Sequence, residues 1–208
     1  MDSTLSAAGC SLVLASGNSG KLRELSAMLK PLGWTVRCQD EWDIDGAAED
    51  GLTFIENALI KARHAARLTG LPALGDDSGL VVDALGGAPG IRSSRFAGEP
   101  CDAQANNRKL LEMLSSVPAG QRAAHFYCAM ALIRHEQDPA PLLATGIWHG
   151  SITDGPRGKG GFGYDPLFWL AAHDCTAAEL DPAIKNRLSH RGKALAALIA
   201  QLKDGSAY

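Results

Sequence analysis

The sequence predicts an α/β protein. Up to about Leu114, short apolar strand-like segments alternate with helical ones. Two longer strand-like runs, Ala123–Arg134 and Leu142–His149, are separated by His135–Pro141 and read as an antiparallel hairpin. The 208 residues are 46% hydrophobic and 21% charged, a globular balance. That length suits one domain over 1–208, built as two lobes on a shared core, with a strand-rich extension at about 122–150.

Each element has a local reason. Ser11–Ala15 reads as a short apolar strand, followed by the turn Ser16-Gly17-Asn18-Ser19-Gly20. Leu22, Leu25 and Leu29 then share one face of a helix over about Lys21–Lys30, which Pro31 and Gly33 close. Thr35–Cys38 is the next strand. Asp40–Gly51 carries six acids and reads as a loop. Thr53 and Glu56 form a capping box for a helix over Phe54–Leu68. The alanine face of that helix (Ala58, Ala62, Ala65, Ala66) permits close approach to a sheet. Ala73–Gly75 and Leu80–Ala84 read as strands flanking an acidic turn, Asp76-Asp77-Ser78-Gly79. Gly86–Gly98 reads as irregular and Ala103–Leu114 as a helix. Beyond the hairpin come a glycine-rich loop over Gly155–Gly163 and a return to the core at Tyr164–Leu170. Thr176–Leu188 is partly helical, interrupted by Pro182, and Gly192–Leu202 is the last helix.

Composition narrows the function. Twenty Lys and Arg against 23 Asp and Glu give a net charge of -3, so long-range attraction to nucleic acid or to an acidic membrane is not expected. The five cysteines form no CxxC pair, which argues against a disulfide framework or a thiolate zinc site. Residues 1–9 lack the basic start of a leader peptide, and no apolar run approaches the ~18 residues of a membrane span. A soluble cytoplasmic protein is expected.

Four clusters carry chemistry. In Ser16-Gly17-Asn18-Ser19-Gly20-Lys21, a strand, a glycine turn, a helix start and a lysine together suit a phosphate, although an ordinary βα turn has the same composition. The Walker A spacing is absent. Asp76 and Asp77, followed by Ser78, place adjacent carboxylates that need a neutralising cation, for which Mg²⁺ against phosphate oxygens is one solution; a surface turn is another. Asp77 is the candidate catalytic acid. Lys61 shares a helix face with Asn57 and reaches either phosphate or solvent. Phe162-Gly163-Tyr164-Asp165 offers a ring for base stacking and a carboxylate for a base edge, or a packed aromatic turn. Lys185, His190 and Arg191 form a basic group suited to anions and to base carbonyls, or a solvated helix end.

In order along the chain, Leu14–Lys21, Thr53–Ala58 with Lys61-Ala62, Asp76–Leu80, Gly86–Ile91, Gly160–Pro166 and Ser189–Gly192 resemble the Ham1/inosine triphosphate pyrophosphatase family. The resemblance runs from about Leu12 to Leu202. It implies a long twisted mixed sheet flanked by helices, in two lobes with a central cleft. It also implies hydrolysis of ITP, dITP and XTP to monophosphate and pyrophosphate with Mg²⁺, by a homodimer. By motif, Ser16–Lys21 hold the triphosphate, Asp77 and Glu49 hold the metal, and Asp76, Ser78 and Lys61 complete that neighbourhood. The resemblance further implies that Phe162–Asp165, Lys185, His190 and Arg191 contact the nucleotide and base. Arg92 departs, standing where many relatives carry Tyr. The rival expectations are a pyrophosphatase for modified pyrimidine triphosphates and a nucleotide-binding protein without turnover.

Overall fold

The computed structural model describes residues 10–204; residues 1–9, on which the leader-peptide reading rests, lie outside them. The strands are β1 (Cys10–Leu14), β2 (Trp34–Cys38), β3 (Ala73–Val82), β4 (Ala123–Ile133), β5 (Leu142–Ile152), β6 (Phe168–Leu170) and β7 (Cys175–Thr176). The α-helices are α1 (Ser19–Leu29), α2 (Phe54–Thr69), α3 (Ala103–Met113), α4 (Pro182–Leu188) and α5 (His190–Lys203). The fold is mixed α/β on a seven-stranded sheet in the order β2-β1-β3-β4-β5-β6-β7. β1 runs parallel to both β2 and β3, whereas β6 runs antiparallel to β5 and β7.

Backbone contacts divide the chain into two compact units. Unit 1 takes the chain up to Asp77, Ala129–Thr145 and the chain from Ala194 onward; unit 2 takes Ser78–Cys128 and Gly146–Lys193. In unit 1, Leu12, Val13 and Leu14 are all buried, as a parallel strand covered on both faces requires. Leu12, Leu74, Leu132, Leu195 and Leu198 line one apolar spot of this core. The alanine face of α2 is fully used: Ala58, Ala62, Ala65 and Ala66 are at most 3% exposed. A β-carbon on Gly75 would lie 1.9 Å from the Ala58 carbonyl oxygen, so α2 sits on β3 where only glycine fits. In unit 2, Leu80, Leu110, Leu114, Phe126, Trp148, Tyr164 and Phe168 form the apolar core.

Three local expectations change. Asp76–Gly79 is not a turn, because β3 continues through it from Ala73 to Val82. Turn-forming composition is overridden where both acids find lysine partners and the strand is buried. Pro182 does not interrupt a helix; it occupies the first turn of α4 behind an Asp181 cap, where its missing N–H is no loss. The acid-rich segment expected as a loop opens with a 3₁₀ turn over Gln39–Trp42. The predicted helices over 54–68 and 103–114 stand; the first keeps its Thr53–Glu56 capping box, and Asp102 caps the second.

Candidate active site

Lys21 and Lys61 come from different helices of unit 1 and converge on β3. Asn18 caps α1, its side chain accepting from the amides of Gly20 and Lys21. Those two amides are therefore already bonded to Asn18. Ser16 accepts from the Asn18 amide through its hydroxyl, and Gly17 and Ser19 are exposed. A β-carbon on Gly17 would meet the Asp40 carboxylate at 3.2 Å. The cap sends Lys21 inward: its Nζ lies 2.8 Å from Asp76 Oδ1 and donates to the Asp76 carbonyl at 2.9 Å.

Lys61, on the buried face of α2, donates to Asp77 Oδ1 at 2.6 Å and lies 3.2 Å from Glu49 Oε1. It also reaches the Asp76 carbonyl oxygen at 3.4 Å. Successive side chains of a strand point to opposite faces, so the two neighbouring carboxylates take one lysine each. The charge the sequence left unbalanced is thus met by the chain itself. Burial opposes a charge on Lys61, but Asp77 and Glu49 override it and hold the ammonium above its ordinary value. Burial pushes the Asp77 carboxyl above its ordinary value, and Lys61 and Lys21 offset only part of that.

A divalent cation fits this donor set. Asp77 Oδ2 is buried and has no hydrogen-bond partner among the described residues. Asp77 and Glu49 already share one cation, the Lys61 ammonium. No group of three or more His, Cys, Asp or Glu gathers among the described residues. Two carboxylates suffice for Mg²⁺, which keeps waters and takes its remaining ligands from phosphate oxygens.

The remaining predicted residues assemble in unit 2. Phe162 lies beneath the Lys185 ammonium, 4.9 Å from its ring centre, with the Arg191 guanidinium at 5.7 Å. Asp165 pairs with Lys185 at 2.7 Å and accepts the Phe162 amide at 2.8 Å, which fixes the loop that carries the ring. A β-carbon on Gly161, at φ 71°, would run into Asp165. Gly163, also at positive φ, offers its carbonyl to Asn107. Arg191 is 1% exposed and donates to the Ser78 hydroxyl at 2.9 Å. His190 stacks on Phe126 at 4.7 Å between ring centres. Tyr164 is buried in the core and donates to the Ser93 carbonyl; burial pushes its phenol well above the usual range. Lys185, His190 and Arg191 are all buried, so they do not form a solvated helix end. A β-carbon on Gly192 would meet the Asn186 carbonyl oxygen at 1.7 Å, which packs the start of α5 directly on α4.

Sequence reasoning passed over Ser93 and Asn106. Asn106 accepts the Ala97 amide and donates to the Ser94 carbonyl, bracing the 3₁₀ segment Gly90–Arg95. An asparagine one turn before Leu110 on the apolar face of α3 was the available signal. The contact of His64 Nε2 with the Asp45 carbonyl oxygen was also missed, because a carbonyl partner leaves no trace in residue type.

The chain is similar along nearly its whole length to known proteins. Residues 12–201 match the Ham1 family. The dITP/XTP pyrophosphatase of Xanthomonas campestris is 62% identical over 187 residues, 90% of this chain and 94% of that protein. The dITP/XTP pyrophosphatase of Photobacterium profundum is 54% identical over 93% of this chain and 98% of its own. Among solved structures, a HAM1 protein from Coxiella burnetii superposes with a TM-score of 0.85 at 50% identity, covering 94% of this chain and 99% of that one. The Ham1 protein of Staphylococcus aureus gives 0.81 at 36% identity, over 94% and 100%. With matched residues reaching from β1 into α5, this chain belongs to the Ham1 family.

Proposed function

We propose that this protein is a pyrophosphatase that hydrolyses deaminated purine nucleoside triphosphates (ITP, dITP and XTP) to the monophosphate and pyrophosphate, with Mg²⁺. The observation that carries the reading is the convergence of Lys21 and Lys61 on Asp76 and Asp77 of β3, with Glu49 held against Lys61. The names of its relatives, dITP/XTP pyrophosphatase, support the substrate class.

In this reading water attacks the α-phosphorus, the bond from that phosphorus to the bridging oxygen breaks, and pyrophosphate leaves. Asp77 accepts the water's proton, directly or through a second water, and its raised pKa suits a base. Asp77 and Glu49 would hold Mg²⁺, which when bound neutralises phosphate oxygens. Lys21 and Lys61 balance the negative charge that builds on the transferring group. Ser16–Lys21 bind the triphosphate tail, with Asp76 and Ser78 holding the two cations that border Asp77's strand.

Three side chains are proposed to read the base. The Phe162 ring stacks on the purine, and His190 and Arg191 direct donors at the carbonyl on its six-position. Inosine and xanthosine carry that carbonyl, whereas adenine carries an amino group. Gly163, Tyr164, Asp165 and Lys185 complete the nucleotide contacts, and the Asp165–Lys185 pair also holds the loop that carries Phe162. The protein acts in the cytoplasm as a homodimer. Among the described residues no helix is long and apolar enough to cross a membrane.

A panel of ITP, dITP, XTP, GTP, ATP, dTTP and UTP, assayed by pyrophosphate release with and without chelator, tests the reading. Fastest hydrolysis of ITP, dITP or XTP, abolished by chelator, is expected. Faster dTTP or UTP turnover, or tight ITP binding without pyrophosphate release, overturns it.

A further inference from the structure

Asn57, Lys61 and His64 stand at i, i+4 and i+7 of α2 and form one stripe along the helix. The segment that carries Glu49 is tied to this stripe at three points. At one end, the Gly51 amide donates to Asn57 Oδ1 at 2.9 Å. At the other, His64 Nε2 lies 2.9 Å from the Asp45 carbonyl oxygen and donates to it. Between them Glu49 Oε1 meets the Lys61 ammonium at 3.2 Å.

The ties are specific. A β-carbon on Gly51 would fall 2.7 Å from Asn57 Oδ1 and 2.8 Å from the Glu56 β-carbon, so the segment touches the helix where no other residue fits. The Gly51 N–H needs an acceptor, which fixes the Asn57 amide with its oxygen toward the loop. Asn57 Nδ2 is then left buried with no partner among the described residues, a cost that an alanine in this alanine-rich face would avoid. At His64, an Arg67 nitrogen lies 3.1 Å from Nδ1 and donates to it. That leaves the proton on Nε2, where Asp45 uses it.

We propose that Asn57 and His64 are positioning residues, which strap the Asp45–Gly51 segment along α2 and thereby set the Glu49 carboxylate beside Lys61 and Asp77 for the divalent cation. The proposal rests on the reading of Glu49 as a metal carboxylate. Neither residue is assigned a contact with substrate. Both act by fixing where Glu49 stands, as residues that hold metal ligands do, with typical losses of 10–100-fold in metal affinity when removed.

The test titrates Mn²⁺ against the protein by the electron paramagnetic resonance of the free ion, with the non-hydrolysable α,β-methylene analogue of ITP present. Asn57→Ala and His64→Ala are each expected to weaken Mn²⁺ binding about 10–100-fold. His64→Gln, which keeps an N–H donor, restores it. Hydrogen exchange at the Gly51 amide loses its protection in Asn57→Ala and keeps it in Asn57→Asp. The nucleotide KM at saturating metal stays within about twofold of wild type for His64→Ala.

Wild-type Mn²⁺ affinity in both alanine variants overturns the proposal. So does a loss in His64→Ala that His64→Gln fails to recover. Glu49→Gln separates this failure from that of the underlying reading. If Glu49→Gln weakens Mn²⁺ and the alanine variants do not, the strap alone is wrong. If Glu49→Gln binds Mn²⁺ like wild type, the metal role of Glu49 falls, and the strap with it.

Discussion

Lys21 and Lys61 donate to one and the same acceptor, the Asp76 carbonyl oxygen, at 2.9 and 3.4 Å. Two buried ammonium groups meet there because each also holds its own carboxylate, Asp76 for Lys21 and Asp77 for Lys61. Removing Lys61 takes from the buried Asp77 carboxylate the cation that donates to it. Lys61→Met is expected to cost about 3–5 kcal/mol of stability and at least about 100-fold in kcat. Adding Asp77→Asn to Lys61→Met recovers stability but not turnover. Thermal melts and kcat measured on both variants check this. A single variant that melts like wild type refutes the pairing.

Asp77→Asn tests the base directly. The amide keeps the shape but neither accepts the water's proton nor holds a metal through its nitrogen. Turnover of ITP is expected to fall by about 100-fold or more, with ITP binding within an order of magnitude of wild type. A variant with near wild-type kcat removes Asp77 from the chemistry.

The pH profile follows from the same pair. As the proposed base Asp77 must be ionised, and burial holds its pKa above the ordinary 3.8, so activity is expected to be lost on the acid side above that value. Glu49 pushes Asp77 upward and Lys61 pulls it downward. Glu49→Gln therefore moves the acid limb of kcat/KM to lower pH, and Lys61→Met moves it higher. Lys61 itself, raised above 10.5, contributes stability that is complete below 10.5 and lost as the pH climbs through its folded value. The pH dependence of the thermal midpoint between 9 and 12 should therefore be flatter in Lys61→Met than in wild type.

The proposed function gives base discrimination to His190 and Arg191. A buried donor left unmet costs ~1–3 kcal/mol, roughly 5–150-fold in binding. His190→Ala and Arg191→Ala are each expected to reduce the ratio of kcat/KM for ITP over ATP by about that range. An unchanged ratio with a lower rate on both substrates would make them structural only. Arg191 also holds Ser78, so Ser78→Ala is the control for its packing role.

Gly75 and Gly192 are predicted to tolerate no side chain. A β-carbon at either would sit 1.9 or 1.7 Å from a backbone carbonyl oxygen, and backbone has nowhere to yield. Gly75→Ala and Gly192→Ala are each expected to cost about 1–3 kcal/mol or more, read as a drop in denaturation midpoint. Gly120→Ala, which meets nothing, is the control.

Much of this architecture was legible in residue pattern. The Thr53–Glu56 box marked the start of α2, and the alanine stripe announced how closely that helix would pack. The motif residues also named Lys21, Asp77 and Lys61 together. What pattern did not carry was pairing across the chain. Asp76-Asp77-Ser78-Gly79 has turn composition, yet it runs as buried strand with its two acids paired to lysines arriving from α1 and α2. Arg191 lies 113 positions from Ser78, and no local rule joins them. The Asn57 and His64 contacts run to backbone atoms, which every residue shares, so residue identity alone could not foretell them.

The close seat of Gly75 under Ala58 has one last consequence. It works as a datum from which the chain counts: two steps on lies the acid that takes Lys61, three steps on the hydroxyl that takes Arg191. An inserted or deleted residue within those few positions would turn every later side chain of the strand over. Divergence among related chains should therefore show length changes in the surrounding loops and none between Gly75 and Ser78.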